Sequence, residues 1–320
     1  MLHYNIKYGT IALFTYWNTT MNLKTLYSAF AALLVWTGTA LAEPLPVVSS
    51  FSILGDVATQ IGGNRVQVKN LVGADADAHA YRLTARDSQS IAQAKLVLLN
   101  GLGLEKADIV RAVKQSKVPY AEAAAGISPI KATEHAHHHH GHDHDHGEFD
   151  PHVWHDPVLM QKYAANVTAA LTKADPAGKS HYQAGLQRYL AQLKQLDQYA
   201  RQQFAAVPAA KRKVLTGHDS FAYLGKRYGV MFLSPQGVST EAEPSARTVA
   251  AIIRQIKQQG LKAVFVENIK DGRMISRIAQ ETGVKVSGKL YSDALSRGAP
   301  AATYADLFRH NVRTLTNSMK

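Results

Sequence analysis

Cysteine is absent from the 320 residues of the chain, and this absence excludes two common features of exported and metal-binding proteins. Without thiols the chain can form no disulfide bond and can offer no thiolate ligand to a metal. It also lacks the residue to which a bacterial lipid anchor would be attached, so we expect a soluble protein. Any metal site must therefore be built from imidazole and carboxylate groups.

Long apolar runs are scarce as well. The apolar stretch over 26–35 is too short for a transmembrane helix, which needs about 20 residues. It follows a short basic segment and precedes a small-x-small site ending at Ala42, which is the layout of a secretory signal peptide. We expect residues 21–42 to be that peptide, with cleavage at its end and export to the periplasm. Residues 1–20 do not fit the pattern, and we interpret them as an over-extended start before the true initiator, Met21.

Positive charge is not concentrated, although the net charge is +12. Lysine and arginine are scattered along the chain, and Lys211-Arg212-Lys213 is only a short run. No basic stripe alternates with aromatic residues, so the sequence disfavours nucleic-acid binding. The hydrophobic share of 46% is enough for one large core or two ordinary ones. We expect a monomer with a generally basic surface.

Strand-like and helix-like segments alternate after residue 43, which predicts an α/β fold with parallel sheets. Helix starts are indicated at Asp156-Pro157 and Asp175-Pro176, where a capping aspartate precedes a proline. The other predicted helices are 88–94, 219–228, 245–259 and 273–282. The predicted strands are 45–51, 65–71, 96–99, 213–215, 230–233, 263–266 and 285–291.

The longest predicted element is a helix over 177–207. Apolar residues such as Tyr182, Tyr189 and Leu196 recur there at helical spacing, and Pro208 stops the pattern. Such a helix is roughly 45 Å long, enough to run along two packed lobes. We therefore predict an α/β protein of two lobes, 43–175 and 208–320, with parallel sheets flanked by helices and joined by one long rigid backbone helix over 176–207.

One segment, EHAHHHHGHDHDHGE at 134–148, has no apolar periodicity. Its composition is typical of a solvated metal-binding loop, which we expect to be an accessory to a tighter site. An affinity tag is the alternative, but the tract is internal and is interrupted by aspartate and glycine. The accessory histidines are His135, His137, His138, His139, His140, His142, His144 and His146.

A tight metal site needs ligands on rigid elements, and four polar residues stand where such ligands are expected. In open parallel sheets, ligands bind beyond the carboxyl ends of the strands. His79, His218 and Asp293 each follow a predicted strand, and His152 precedes a predicted helix. Each alone is more often a capping or satisfied polar residue. Together, beside a histidine-rich tract, they favour a site of three imidazoles and one carboxylate, which suits zinc.

His155 is a fifth candidate and remains uncertain. It lies three residues after His152 and could face the same way only if that turn is helical. Because Asp156-Pro157 indicates a later helix start, we expect the two rings to diverge. His152 is the favoured ligand, and His155 is expected to support the site or to contact the histidine-rich loop.

Nearly the whole chain after residue 43 resembles a known family through several motifs. They are SFSILGDVATQIGG, LNGLGLE, DPHVW, GHDSFAYLGKRYGV, EAEPSA and YSDALS. Together these motifs are similar to those of the metal-binding solute receptors of zinc and manganese ABC importers, known as cluster A-I. The resemblance implies two α/β lobes bridged by a backbone helix, with the metal between them and ligands at His79, His152, His218 and Asp293.

The resemblance also bears on which metal is bound. Manganese members tend to carry a carboxylate in place of the third histidine, so His218 and the histidine-rich loop both favour zinc. The chain departs from the family pattern at Asp77-Ala78-His79, where Asp-Pro-His is usual, and at Arg82-Leu83, where Glu-Pro is usual. The position of His155 is commonly apolar in relatives. Many zinc members carry a disulfide in the second lobe, which this chain cannot form.

The predicted function is high-affinity capture of Zn²⁺ in the periplasm and its delivery to the membrane permease of an ABC importer. A closed four-ligand shell leaves no position for activated water, so we expect no enzyme activity. A manganese-binding receptor is the nearest alternative. A periplasmic zinc chaperone or buffer is another, and periplasmic metallochaperones are candidate partners. A secreted zinc hydrolase is least favoured, since it needs an open site and a general base.

Overall fold

The computed structural model describes residues 43–132 and 148–320. The predicted signal peptide, the residues before it and all eight histidines of the tract lie outside the described residues. Residues Pro44–Lys320 belong to one compact unit. No helix within the described ranges combines the length and the apolar character needed to cross a membrane.

Within the described ranges, eight strands form two four-stranded sheets, and every strand pair in them is parallel. The first sheet has the order β2-β1-β3-β4, with β1 (Leu45–Phe51), β2 (Val66–Val72), β3 (Leu96–Leu99) and β4 (Tyr120–Glu122). The second has the order β6-β5-β7-β8, with β5 (Lys213–Leu215), β6 (Met231–Leu233), β7 (Ala263–Glu267) and β8 (Val286–Leu290). The predicted α/β class with two parallel-sheet lobes is confirmed.

The helices flank these sheets. They are α1 (Ser52–Gly62), α2 (Ala85–Gln93), α3 (Ala107–Ser116), α4 (Leu159–Ala174), α5 (Lys179–Ala205), α6 (Ala222–Tyr228), α7 (Ala246–Gln259), α8 (Arg273–Thr282) and α9 (Tyr304–Met319). Two predicted helices match closely: Ser245 caps α7 by accepting the amide of Thr248, and α8 has the predicted limits. The limits predicted for the two lobes stay a prediction.

The predicted backbone helix is confirmed as α5, preceded by a 3₁₀ turn at Pro176–Gly178. Asp175 caps that turn by accepting the amide of Gly178. Residues spaced by three, four or seven along α5, from Tyr182 to Phe204, are buried in a core that also takes side chains from both sheets. Because one core spans both lobes, large hinge motion between them would expose apolar surface.

Two helix starts differ from the prediction, and each difference has a local cause. Helix α4 begins at Leu159 rather than directly after Asp156, because the Asp156 carboxylate accepts the amides of Val158 at 2.8 Å and of Leu159 at 3.4 Å and holds the intervening residues in a turn. Helix α6 begins at Ala222 rather than at 219, because the amide of Asp219 donates to the carbonyl of Gly237. That bond keeps the preceding residues in a turn.

Four elements have no counterpart among the predicted helices and strands: α1, α3, β4 and α9. Helix α1 has almost no polar face, since eight of its eleven residues are buried, so it lacks the amphipathic pattern of a surface helix. Strand β4 has only three residues and is recognised by its pairing with β3 rather than by composition. Helix α9 packs against α5 and β8 and closes the second lobe.

Helices α1 and α5 approach each other closely at Gly185. A Cβ atom at Gly185 would lie 2.1 Å from the carbonyl oxygen of Ile61, which is backbone and cannot turn away. We expect Gly185→Ala to lower the free energy of unfolding by about 1–3 kcal/mol, as overpacking does, despite the better helix propensity of alanine. Denaturant unfolding measures this, with exposed Gln183→Ala as the control, expected within about 0.5 kcal/mol of wild type. An unchanged Gly185→Ala would show that the helices do not pack this closely.

Candidate metal centre

The four residues that the sequence predicts as ligands lie together. One nitrogen or oxygen atom from each of His79, His152, His218 and Asp293 falls within 4.8 Å of all the others. The Asp293 carboxylate lies at the middle of the group, with its Oδ2 3.1 Å from His218 Nε2 and 3.4 Å from His79 Nε2. Its Oδ1 lies 3.5 Å from His152 Nε2. All four side chains are buried, and His79 is the most exposed at 5%.

Sheet topology explains why these residues meet. His218 follows β5 and Glu267 ends β7, and these neighbouring strands lie where the strand order of the second sheet reverses. Such a switch point opens a crevice beyond the strand ends. Asp293 follows β8 at the same edge, while the first lobe contributes His79 after β2 and His152 before α4. The site therefore draws two residues from each lobe.

Two imidazoles are oriented by carboxylates behind them. His152 Nδ1 lies 2.6 Å from Asp150 Oδ1, and His218 Nδ1 lies 2.6 Å from Glu267 Oε2. The same carboxylates accept backbone amides of their own turns, since Asp150 accepts that of His152 and Glu267 accepts those of Gly217 and His218. With Nδ1 held in this way, each Nε2 faces the centre, which is the arrangement of a carboxylate–histidine–metal triad.

The electrostatics of the group favour a bound cation. Burial alone would raise the pKa of Asp293, but His218 and His152 outweigh it and hold that pKa well below its usual range. Burial alone would lower the pKa of His218, but Glu267 and Asp293 outweigh it and hold that pKa well above its usual value. The centre thus has one ionised carboxylate inside and a second behind His218. A metal ion and a proton compete for His218 Nε2.

The turn that carries His79 is held by the carboxylate of Asp77. The carboxylate Oδ1 of Asp77 accepts the amides of His79 at 2.9 Å and of Ala80 at 3.3 Å, which fixes the turn. Its Oδ2 accepts the hydroxyl of Thr240, from the second lobe, at 2.6 Å. Burial lowers the pKa of His79, which favours the neutral ligand form, although Asp293 partly opposes this. The alanine at position 78 therefore does not prevent His79 from reaching the other candidates.

His155 lies outside the group of four. Residues Val153–His155 form a 3₁₀ turn, and the α-helix begins after it, at Leu159. His152 precedes the turn with φ −80° and ψ 43°, outside helical geometry. The His155 ring packs on Phe221 with 4.3 Å between ring centroids, and neither of its nitrogens has a hydrogen-bond partner among the described residues. Burial lowers the pKa of His155 to about 3.

Sequence reasoning missed the residues that orient the candidates. Glu267 directly follows the predicted strand 263–266, so the strand-end rule that selected His218 could also have found it. Asp150 lies in the DPHVW motif two residues before His152, a spacing that suits an aspartate capping its own turn. No sequence signal relates Asp77 to Thr240, because 163 residues separate them and only the fold brings them together.

The arrangement can hold one metal ion through three neutral imidazoles and a carboxylate. Zinc accepts four such ligands in tetrahedral geometry. The Asp293 carboxylate directs both oxygens toward the imidazoles, so it could also bind through two oxygens and make a shell of higher coordination number. Within the described residues, this is the one group of histidine and acidic side chains with metal-binding spacing.

Comparisons with known proteins relate the chain to metal-binding proteins. Residues 47–318 match the family model described as zinc-uptake complex component A, periplasmic. The chain is 32% identical over 293 residues to the manganese-binding lipoprotein MntA of Bacillus subtilis, covering 88% of this chain and 92% of that protein. It is 31% identical over 283 residues to the zinc-binding protein TroA of Treponema pallidum, covering 87% and 89%.

Solved structures give the same picture. The structure of TroA from Treponema pallidum, a periplasmic zinc-binding protein, superposes with a TM-score of 0.79 at 29% identity, covering 86% of this chain and 99% of that one. A manganese-bound periplasmic metal-binding protein from Candidatus Liberibacter asiaticus gives 0.77 at 28% identity, covering 86% and 100%. These relatives are metal-binding proteins rather than enzymes. The chain belongs to the family of zinc-uptake complex component A, the metal-binding receptors of ABC importers.

Proposed function

We propose that the chain is a periplasmic receptor that binds one zinc ion through His79, His152, His218 and Asp293 and delivers it to the permease of an ABC importer. The observation that carries the proposal is the buried convergence of these four side chains, with the metal-facing nitrogens of His152 and His218 set by carboxylates behind them. The family description and the zinc-binding relative support the same role. The predicted signal peptide supports export to the periplasm.

Zinc is favoured by the donor set. Three imidazole nitrogens and one carboxylate are a borderline-soft set that suits zinc, whereas manganese prefers more oxygen ligands. Manganese is the second candidate, and one observation favours it. Both oxygens of Asp293 face the imidazoles, which would supply a fifth donor to a metal that accepts higher coordination. The manganese-binding relative and the manganese-bound neighbour are consistent with that reading.

The histidine-rich tract is an accessory in this proposal. A tract of this composition binds metal ions weakly and raises their local concentration near the receptor. Its removal is therefore expected to leave one tight ion per chain and to remove the weak ones. If all tight binding disappears with the tract, the buried site is not the receptor site.

Competition between metals tests the proposal. We expect the chain lacking both 1–42 and the tract 134–148 to bind one ion tightly. Its apparent affinity for zinc is expected to exceed its apparent affinity for manganese by at least about 100-fold. Nitrogen-containing sites in general bind zinc more tightly than manganese. Calorimetric titration of each metal, and of zinc into the manganese-loaded protein, measures this. Equal affinities, or tighter manganese, would make manganese the cargo.

A further inference from the structure

A loop of the second lobe reaches across to the first. Residues 236–243, which we call the cross-lobe loop, begin beside His218, since Gln236 pairs with His218 in an isolated parallel bridge. The amide of Asp219 also donates to the carbonyl of Gly237 at 3.1 Å. The start of the loop is therefore fixed to the turn that carries one predicted ligand.

The middle of the same loop is bonded to the turn that carries His79, a second predicted ligand. The Thr240 hydroxyl donates to Asp77 Oδ2 at 2.6 Å, while Asp77 Oδ1 accepts the His79 amide. Thr240 is only 3% exposed, so water does not readily replace this bond on its side. One carboxylate thus joins the loop of the second lobe to the backbone of His79 in the first.

Contacts within the second lobe hold the cross-lobe loop in place. Lys270 donates to the carbonyl of Thr240 at 2.9 Å and pairs with Glu243 at 3.0 Å. The side chain of Gln236 donates to the carbonyl of Ala242 at 2.7 Å. These contacts fix the position of the Thr240 backbone relative to the second sheet. The Thr240 hydroxyl is therefore held in position to donate to Asp77.

The loop also lies where solvent comes closest to the site. An open cleft of about 920 Å³ is lined by His79 on one side and by Val238, Ser239 and Glu241 of the loop on another. His79 is the most exposed of the four predicted ligands. An ion that leaves the centre on this side must pass His79 and the loop.

We propose that Thr240 and Asp77 form a cross-lobe latch that positions His79 and limits the rate at which the bound metal leaves. This inference rests on the proposed function. Neither residue belongs to the group of four proposed ligands, and both act through the His79 turn. Breaking the latch removes the bond between the His79 turn and the cross-lobe loop, while the bonds from Asp75 to the second lobe and the carboxylates behind His152 and His218 stay in place.

The test is the rate of metal loss from the chain lacking its predicted signal peptide. The protein is loaded with zinc or cobalt and mixed with excess chelator. We expect Thr240→Val, which keeps the side-chain shape and removes the hydroxyl, to release metal about tenfold faster than wild type. Thr240→Ser restores the hydroxyl and is expected to release metal within about twofold of wild type. The cobalt absorption spectrum is expected to stay unchanged in both variants, since the ligands are the same.

A second contact of the same loop gives the matched control. Lys106 pairs with Glu241 at 2.6 Å across the lobes, at a more exposed position than Thr240. Lys106→Gln is expected to leave the release rate within about twofold of wild type, as exposed ion pairs contribute little. Melting without metal checks that every variant folds.

Three outcomes overturn the latch: Thr240→Val releasing metal at the wild-type rate, Thr240→Ser failing to restore it, or Lys106→Gln accelerating release as much as Thr240→Val. Each leaves the receptor function intact if wild type still binds one ion tightly. Absence of tight binding in wild type would instead contradict the proposed function. The two failures are therefore distinguishable.

Discussion

We expect His152→Ala to weaken zinc binding by more than about 100-fold in the chain lacking residues 134–148. Substituting a residue that only orients a ligand costs about 10- to 100-fold in affinity, and removal of a ligand should exceed that. His152 is fully buried and its Nε2 faces Asp293, so alanine removes one nitrogen donor from the group of four. Zinc titration against a chelator of known affinity measures the loss.

His155→Leu is the matched control, three residues away on the same turn. Its ring packs on Phe221 and lies outside the group of four, so zinc affinity is expected to change by less than about threefold. If His155→Leu lost zinc as fully as His152→Ala, the ligand set would need revision. Retention of tight zinc by His152→Ala would contradict the assignment of His152.

The second prediction with a large expected effect concerns His155 and the free energy of unfolding at acid pH. Burial lowers the pKa of His155 to about 3, whereas the unfolded chain has an ordinary histidine value of about 6.5. Between these values the unfolded state binds a proton that the folded state does not, so the free energy of unfolding falls as the pH falls. The slope for one proton is about 1.4 kcal/mol per pH unit, which gives a loss of about 2 kcal/mol at pH 5.

Leucine at position 155 removes this loss. It also removes two buried nitrogens that have no hydrogen-bond partner among the described residues. We therefore expect the free energy of unfolding to rise by about 1 kcal/mol at neutral pH. We expect the advantage of His155→Leu over wild type to grow from pH 7.5 to pH 5 in the presence of a chelator. Denaturant unfolding at several pH values measures it. Parallel stability curves for the two proteins would show that His155 does not remain neutral in the folded chain.

The sequence predicted the parts of this molecule that depend on local pattern. The strands before His79 and His218 are short β-rich runs bounded by turn residues, and the backbone helix has a long periodic apolar face. Applying the strand-end rule to them was enough to select residues that the fold brings together. Their roles as ligands remain a proposal.

The parts that depend on contacts between distant segments could not be predicted. Helix α1 is buried on nearly every side, so its sequence has no polar face to mark it. The bond between Asp77 and Thr240 and the packing of His155 on Phe221 both join the two lobes. For His155 the helix start indicated at Asp156-Pro157 favoured a place outside the ligand set, and the structure adds the packing of its ring on Phe221.

The most direct test of the central claim is an anomalous-scattering map recorded at the zinc edge from crystals of the zinc-loaded chain lacking residues 134–148. The account predicts one strong peak, about 2.0–2.2 Å from the Nε2 atoms of His79, His152 and His218 and from a carboxylate oxygen of Asp293. A peak bound by other residues, or no peak among these four, would contradict it.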